Sequence, residues 1–403
     1  MVAPGKCISK HTAGIYDRGG MRRLGQLVDI SRVKWGRDMD EQGLATVVIS
    51  GRKNCAAQAK TLLAINTRRH EIVIHRGLAR SFEGPILEVN WYEDRVELIC
   101  KDASTEYLRN TSISRKWTFQ NEPDPLRAPM IGRVRAILNH ELTVPYDMVV
   151  GQKIEPTKDE PGINTRRTVT VTRWEQQDPP ANILPHMQIQ DSPFLYTRSI
   201  TEAFEMTVLD HLKDLSRNGL SFTAVGRRLL VWDSDFAIGT TRALTSADFV
   251  GNIRVVESGT DYRGVTHISA TSEESDGQIG VGHAGEVDAY YGPWEHIYSS
   301  QSEEGSDAPT QNALNGQAER IRRGREVPPV QMIIPSSAGL RLSDDLTINQ
   351  LVPGTVMPVK ATFNLREVVQ DQLLVNLVVE ETAVNETISG TLVPAGPVRW
   401  AES

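Results

Sequence analysis

The sequence predicts a mainly β protein with α/β inserts, and three observations carry that expectation. Apolar and polar residues alternate over short runs early in the chain. Proline-rich punctuation breaks up the middle, and alternating runs return before the C-terminus. Alternation at period two sends one face of a strand to a core and the other to solvent or a neighbour.

The first β region spans residues 25–120. "LATVVIS" (Leu44–Ser50) puts Ala45, Val47 and Ile49 on one face, and "HEIVIHR" (His70–Arg76) reads as a second strand. "GPILEVNWYEDRVELICKD" reads as a hairpin. Leu87, Val89 and Trp91 share a face, Tyr92–Asp94 turn the chain, and Val96, Leu98 and Cys100 alternate with charges. The Ala- and Leu-rich start of "NCAAQAKTLLAINTRRHE" favours a short helix across the open end of a sheet. Several strands with one short helix suggest a small barrel, because closure removes exposed strand edges. The Gly-rich, basic residues 1–24 are expected to form an arm or disordered leader.

Residues 121–198 read as a Pro-rich β insert. In "RRTVTVTRW", Val169 and Val171 alternate with threonines, so this strand is expected at a sheet edge or against another subunit. Residues 199–335 read as an α+β domain with two helices. "SITE" (Ser199–Glu202) is a capping-box pattern, Phe204, Val208, Leu212 and Leu215 form an apolar stripe, and Asn218–Gly219 supplies a stop. "LSFTAVGRRLLVWD" reads as a tight hairpin across Gly226, followed by β segments "GNIRVVES" and "VTHISATS" and a Gly- and acid-rich loop over 272–286. A second helix is expected over Ala308–Arg323, with Leu314, Ala318 and Ile321 as its stripe. Residues 336–403 are β again, with a type II turn at Pro353–Gly354 and strands completing a second barrel.

The chemistry-bearing patterns are weak. "GVGHAG" is a literal GxGxxG without the preceding strand and following helix that a dinucleotide site needs, so Gly280, Gly282 and Gly285 are expected in a flexible loop. His70, Glu71 and His75 lack zinc-helix spacing, and "DSD" (Asp233, Asp235) lacks the rest of a calcium loop. Cys7, Cys55 and Cys100 form neither a CxxC pair nor an even disulfide set, and read as free thiols. The net charge of −7 argues against a general nucleic-acid surface. The Arg68, Arg69, Arg76 and Arg80 cluster is read as edge protection rather than a phosphate site. No signal peptide or membrane helix is expected. No catalytic, cofactor or metal residue is assigned.

The order of motifs resembles a known family. "VKWGRDMDEQGLATVVI", "RRHEIVIHRG" and "FEGPILEVNWYEDRVELICKD" are similar to the opening barrel of minor tail proteins from actinobacterial siphophages. The later order of a capped helix, "NGLSFTAVGRRLLV", "YYGPWEHI", an Ala-rich helix and "LVPGTVMPV" is similar to tail-tip or baseplate hub proteins. The resemblance implies two tail-tube-like β-barrel modules with α+β hub domains between them, in a homotrimeric ring that imitates sixfold symmetry. It implies contacts with the distal tail protein, tail tube, tape measure protein and a tip spike or central fibre. It also implies transient passage of phage DNA and a virion location after assembly in the host cytoplasm. Some members of the family extend into a lytic or receptor-binding part; this chain departs from them by stopping at Ser403, so no lytic domain is expected, and without a catalytic constellation no enzymatic activity is expected. Trp35, Arg37, Trp91, Val169 and Val171 are then candidates for packing or subunit contact. Two other readings compete. One is a cell-wall hydrolase using Asp38, Asp40 or Glu41. The other is a sugar-binding tail protein with Trp91, Trp294 and Tyr290 as a platform.

Overall fold

The computed structural model describes residues 7–67, 69–117, 130–143, 146–155, 163–171, 186–189, 200, 203–216, 219–234, 236–257, 265–272, 278–287, 289, 292–293, 295–302, 314–315, 318–319, 330–335, 339–363, 366–395 and 399–400. The N-terminal part contains β1 (His11–Tyr16), β2 (Arg23–Leu27), β3 (Ile30–Asp38), β4 (Leu44–Ser50), α1 (Arg52–Ala57), α2 (Ala59–Leu63), β5 (Glu71–Arg76), β6 (Ala79–Trp91), β7 (Arg95–Lys101) and α3 (Ala103–Arg109). The middle contains α4 (Met130–Thr143), β8 (Tyr146–Glu155), β9 (Ile163–Val171), β10 (His186–Ile189), α5 (Val208–Ser216), β11 (Leu220–Val225) and β12 (Arg228–Asp233). Short strands β13 (Gly239–Thr240), β14 (Leu244–Thr245), β15 (Phe249–Val250) and β16 (Arg254–Glu257) follow, then β17 (Val265–Ser272), β18 (Gln278–Gly285) and β19 (Glu295–Ser302). The last group is β20 (Val330–Ile333), β21 (Gly339–Leu340), β22 (Thr355–Phe363), β23 (Arg366–Thr382), β24 (Glu386–Pro394) and β25 (Arg399–Trp400).

One sheet of 15 strands carries the molecule, in the order β15-β21-β24-β23-β3-β4-β7-β6-β5-β1-β2, with β22 and β25 also on β23. The two barrels expected from the sequence are not found as closed barrels among the described residues: their strands lie in this one continuous sheet, whose path ends at β2 and β15 without returning on itself. Its seam is the antiparallel pair β3–β23, which sets Trp35 opposite Val379 and Gly36 opposite Val378. Strands from the two ends of the chain thereby share one core, which runs from Ile15, Trp35 and Leu98 to Met357, Leu377 and Val379. The 17 residues of β23 reach across both halves.

Strand β6 is also shared. Its first half pairs with β5 and its second half with β7. The switch occurs between Pro85 and Ile86. Just before it, a Cβ on Gly84 would sit 1.6 Å from the Lys101 carbonyl oxygen, so only glycine allows the two backbones to approach this closely. Helices α1 and α2 stand where the short helix was expected, and Leu62 of α2 is buried in the large core.

A second core joins α3, α4 and α5 to β11 and β12, through Leu108, Trp117, Leu138, Leu212 and Phe222. A third, small core packs Leu314 and Ala318 on Ile268 of the three-stranded sheet β18-β17-β19. β8 and β9 form a two-stranded sheet of their own.

Several expectations change. His11–Tyr16, inside the expected leader, is a strand paired to β5, because Ala13 and Ile15 complete the large core. Helix α5 starts at Val208, capped by Thr207 and Asp210, whose side chains bond each other's backbone N–H. The "SITE" residues other than Ile200 lie outside the described residues. Phe204 does not join the apolar stripe; it has φ 64° and is exposed. Helix α4 occupies "IGRVRAILNH" within the segment read as a β insert. Gly280, Gly282 and Gly285 lie in strand β18, not in a loop. A Cβ on Gly282 would lie 2.4 Å from the Leu314 backbone, so the glycines admit a close helical approach rather than a phosphate. Of the second expected helix, Leu314 and Ala318 are helical and buried, while Ile321 lies outside the described residues. The Pro353–Gly354 turn forms as read, with Gly354 at φ 95° and Thr355 N–H donating to Val352 O at 3.0 Å.

Candidate functional site

The residues singled out in the sequence separate into internal joints and surface. Trp35 is fully buried in the large core. Its Nε1–H donates to His11 Nε2 at 3.1 Å, which leaves His11 Nδ1 to donate to Glu381 Oε2 at 2.7 Å. Burial, opposed by Glu381 and Glu386, lowers the His11 pKa, so the imidazole is neutral. Glu381 also accepts the backbone N–H groups of Ser9, Lys10 and His11. Beside it, Arg76 grips Glu386 with two bonds of 2.7 and 2.9 Å, and Lys10 adds a third at 2.7 Å. Burial pushes the Glu386 carboxyl up, but Arg76 and Lys10 outweigh it and hold it at about 2. This clasp ties β1 and β5 to the β23–β24 hairpin.

Arg37 is a buried cation held by carbonyls. Nη1 donates to Ile348 O and Leu351 O at 3.3 and 3.1 Å, and Nη2 to Ser81 O at 3.0 Å. Its guanidinium lies 5.0 Å from the Trp35 ring centroid. Burial, aided by Arg228, lowers its pKa to about 10. It fixes the 348–351 segment onto the sheet, which is a packing role inside one chain.

The acidic turn after β3 joins the two main cores. Asp40, at φ 61°, accepts the Phe222 N–H on its carboxylate at 2.8 Å, and its own N–H donates to Phe222 O at 2.8 Å. The Asp38 carbonyl accepts from Thr223 Oγ1 at 2.8 Å, its carboxylate accepts from Asn376, and Glu41 pairs with Lys213. Burial raises the Asp40 carboxyl to about 6 despite the Phe222 bond. Each of these three carboxylates bonds a partner inside the chain.

Sequence reading missed the joint on the opposite side. Arg227, in the turn between β11 and β12, enters between Glu83 (2.7 Å) and Glu71, and the Tyr107 hydroxyl also donates to Glu71. Burial works against the Arg227 charge, yet the two carboxylates raise its pKa overall. Of the basic cluster, Arg69 is bidentate to Asp17 at 2.6 and 3.0 Å, and Arg80 pairs with Glu83 at 2.7 Å. With Arg76 on Glu386, three of the four arginines are bound to carboxylates of the same chain; Arg68 lies outside the described residues.

The outward-facing candidates are different. Trp91, at the end of β6, is 52% exposed, and Tyr92 beside it carries the Arg95 guanidinium 4.0 Å from its ring centroid. A groove of about 490 Å³ runs between α2 and the second half of β6, with a mixed lining in which Leu62, Leu63, Leu87 and Trp91 stand beside Thr67, Glu88 and Asn90. Val169 and Val171 lie on β9, opposite Met148 and Tyr146 of β8. Trp294 and Tyr290 lie outside the described residues. Cys7 is exposed, Cys55 half-buried and Cys100 buried, each a free thiol. Among the described residues, no group of three metal-ligating side chains converges, and no helix is long and apolar enough to cross a membrane.

No family model matches the sequence, and no curated protein sequence matches it. The fold does have neighbours among solved structures. A 43 kDa tail protein of prophage MuSo2 from Shewanella oneidensis is similar over 95% of this chain and 98% of its own, at 12% identity and a TM-score of 0.53. A tail protein from Neisseria meningitidis MC58 is similar over 96% of both chains, at 11% identity and a TM-score of 0.54. The mainly β fold of this chain is thus similar to that of these two phage tail proteins over nearly the whole of each.

Proposed function

We propose that this chain is the structural hub of a bacteriophage tail tip. In this reading it forms a homotrimeric ring, joins the hexameric distal tail to a tip spike or fibre, and gates the DNA channel without enzymatic activity. The observation that carries the reading is the extent of the fold likeness, which spans nearly the whole of this chain and of two phage tail proteins. The two halves of the large sheet would be the two tail-tube-like modules, so that three chains present six. The internal joints support the same reading. The clasp fastens the two ends of the large sheet, and the acidic turn and the Arg227 joint lock the two main cores together, as a load-carrying connector requires. The carboxylates that a hydrolase would need are already bonded inside the chain.

The test is the mass of the purified protein, alone and mixed with the distal tail protein of the same phage, followed by electron microscopy of the complex. A threefold ring on the end of the tube is the expected result. A protein that stays monomeric and never joins tail components overturns the proposal.

A further inference from the structure

His11 sits at the centre of the clasp, with its side chain fully buried between Trp35 and Glu381. The ring gives its single N–H, at Nδ1, to Glu381 Oε2, and its lone pair at Nε2 accepts the Trp35 indole N–H. An indole nitrogen can only donate, so this arrangement requires that Nε2 carry no proton. The geometry itself selects the neutral ring and its tautomer.

A second proton would have to go on Nε2. There it would face the indole N–H at 3.1 Å, a donor against a donor. The surroundings hold charges of both signs. Glu381 of β23 already accepts the Nδ1–H and the backbone N–H groups of Ser9, Lys10 and His11. Glu386 of β24 lies 3.9 Å from Nδ1, but it is bound by Arg76 of β5 and by Lys10. β3 contributes Trp35, which does not titrate. Burial opposes a charge on the ring most strongly, Arg76 adds to that, and the two carboxylates do not outweigh them. An imidazolium is thus better accommodated in water than in this site.

Hydrating the ring requires lifting the start of β1. Glu381 holds Ser9, Lys10 and His11, and the ladder to β5 begins at the pair His11–Arg76. We propose that His11 makes this fastening acid-labile: a proton on Nε2 breaks the indole bond and releases the start of β1 from Glu381 and the β23–β24 hairpin, which uncovers the β5 edge at His75 and Arg76. The inference concerns one chain by itself and goes beyond the hub reading without depending on it. The closed form binds fewer protons than the open one, so the fastening is whole above pH 6.5 and weakens as pH falls below it. Glu386, held at about 2, stays charged through that range.

The test follows amide hydrogen exchange of the full chain by mass spectrometry from about pH 7.5 to about pH 5, corrected for the intrinsic pH dependence of exchange. Protection at Ser9 to Ala13 is expected to fall below pH 6.5, by up to about tenfold per pH unit for uptake of one proton, while β4 and β7 stay protected. His11→Gln offers a donor and an acceptor and does not titrate, so its protection should be flat with pH. Constant protection in the unsubstituted chain overturns the proposal. So does the same slope in His11→Gln, which would assign it to His70, His75 or a carboxylate. If the substitution prevents folding, the unsubstituted chain still decides. Slow deuterium exchange at the imidazole C2 carbon, read in the tryptic peptide from His11 to Arg18, reports when His11 takes up its proton. The expected midpoint lies below 6.5, with amide protection falling as the ring becomes charged. A midpoint at or above 6.5, or a ring that charges while the amides keep their protection, overturns the proposal.

Discussion

Trp35 and Trp91 belong to the same large sheet, yet one is sealed inside and the other half-exposed. Trp35 lies where β3 has neighbours on both edges, β4 and β23. Trp91 lies where β6 has, among the described residues, a neighbour on one edge only. Burial of an indole follows the pairing around its strand, not the strand's own pattern. Where both edges are paired, aromatic and charged side chains close the chain on itself. Where one edge is open, the same residue types remain available to another molecule.

That contrast can be broken from the inside first. Trp35→Ala should cost about 4 kcal/mol, through lost burial, a cavity and the loss of the indole bond to His11. Urea unfolding monitored by far-UV circular dichroism measures it, and a loss below about 1 kcal/mol would show that the core collapses around the gap. Arg227→Met should cost about 3 kcal/mol, because Glu71 and Glu83 would stay buried around a missing cation. Proteolysis with and without the substitution should show the second core loosening before the large sheet does.

Glu386→Gln tests the clasp. With a carboxyl held at about 2 against an ordinary 4.5, the charged form stabilises the fold above pH 4.5, and that contribution is lost as pH falls toward 2. The substitution should cost on the order of 2 kcal/mol at pH 7 and flatten the acid limb of a stability-against-pH curve. An unchanged acid limb would assign that limb to other groups. Asp40 works in the opposite sense. Its carboxyl is raised to about 6, so its contribution is full below pH 4 and lost as pH rises through 6, and Asp40→Asn should remove that fall. The smallest effect on stability belongs to Trp91→Ala, within about 0.5 kcal/mol. A large stability loss there would mean that the indole supports the fold after all.

Much of the local structure was legible. The strands at 44–50, the 84–102 hairpin, the short helices after β4, the β11–β12 hairpin and the Pro353–Gly354 turn follow from alternation and turn chemistry. The leader was misread because "HTAGIY" has too short an apolar pattern to outweigh the surrounding glycines. "GVGHAG" was misread because glycine signals a loop by conformational freedom, whereas here it serves close approach to Leu314. The acidic turn was legible as a turn, but its partners Phe222, Thr223, Lys213 and Asn376 lie far along the chain.

The sequence by itself determined the β class, most strand positions, the main turns and the lack of a recognisable catalytic motif. These depend on periodicity and on backbone preferences that act over a few residues. Only the tertiary structure decided that β3 pairs with β23 and that Arg37 is buried among carbonyls. It also decided that three of the basic-cluster arginines bond internal carboxylates and that β6 pairs with β5 along its first half and with β7 along its second. Each of these depends on which strand edge meets which across most of the chain, and a local pattern contains no information about its distant partner.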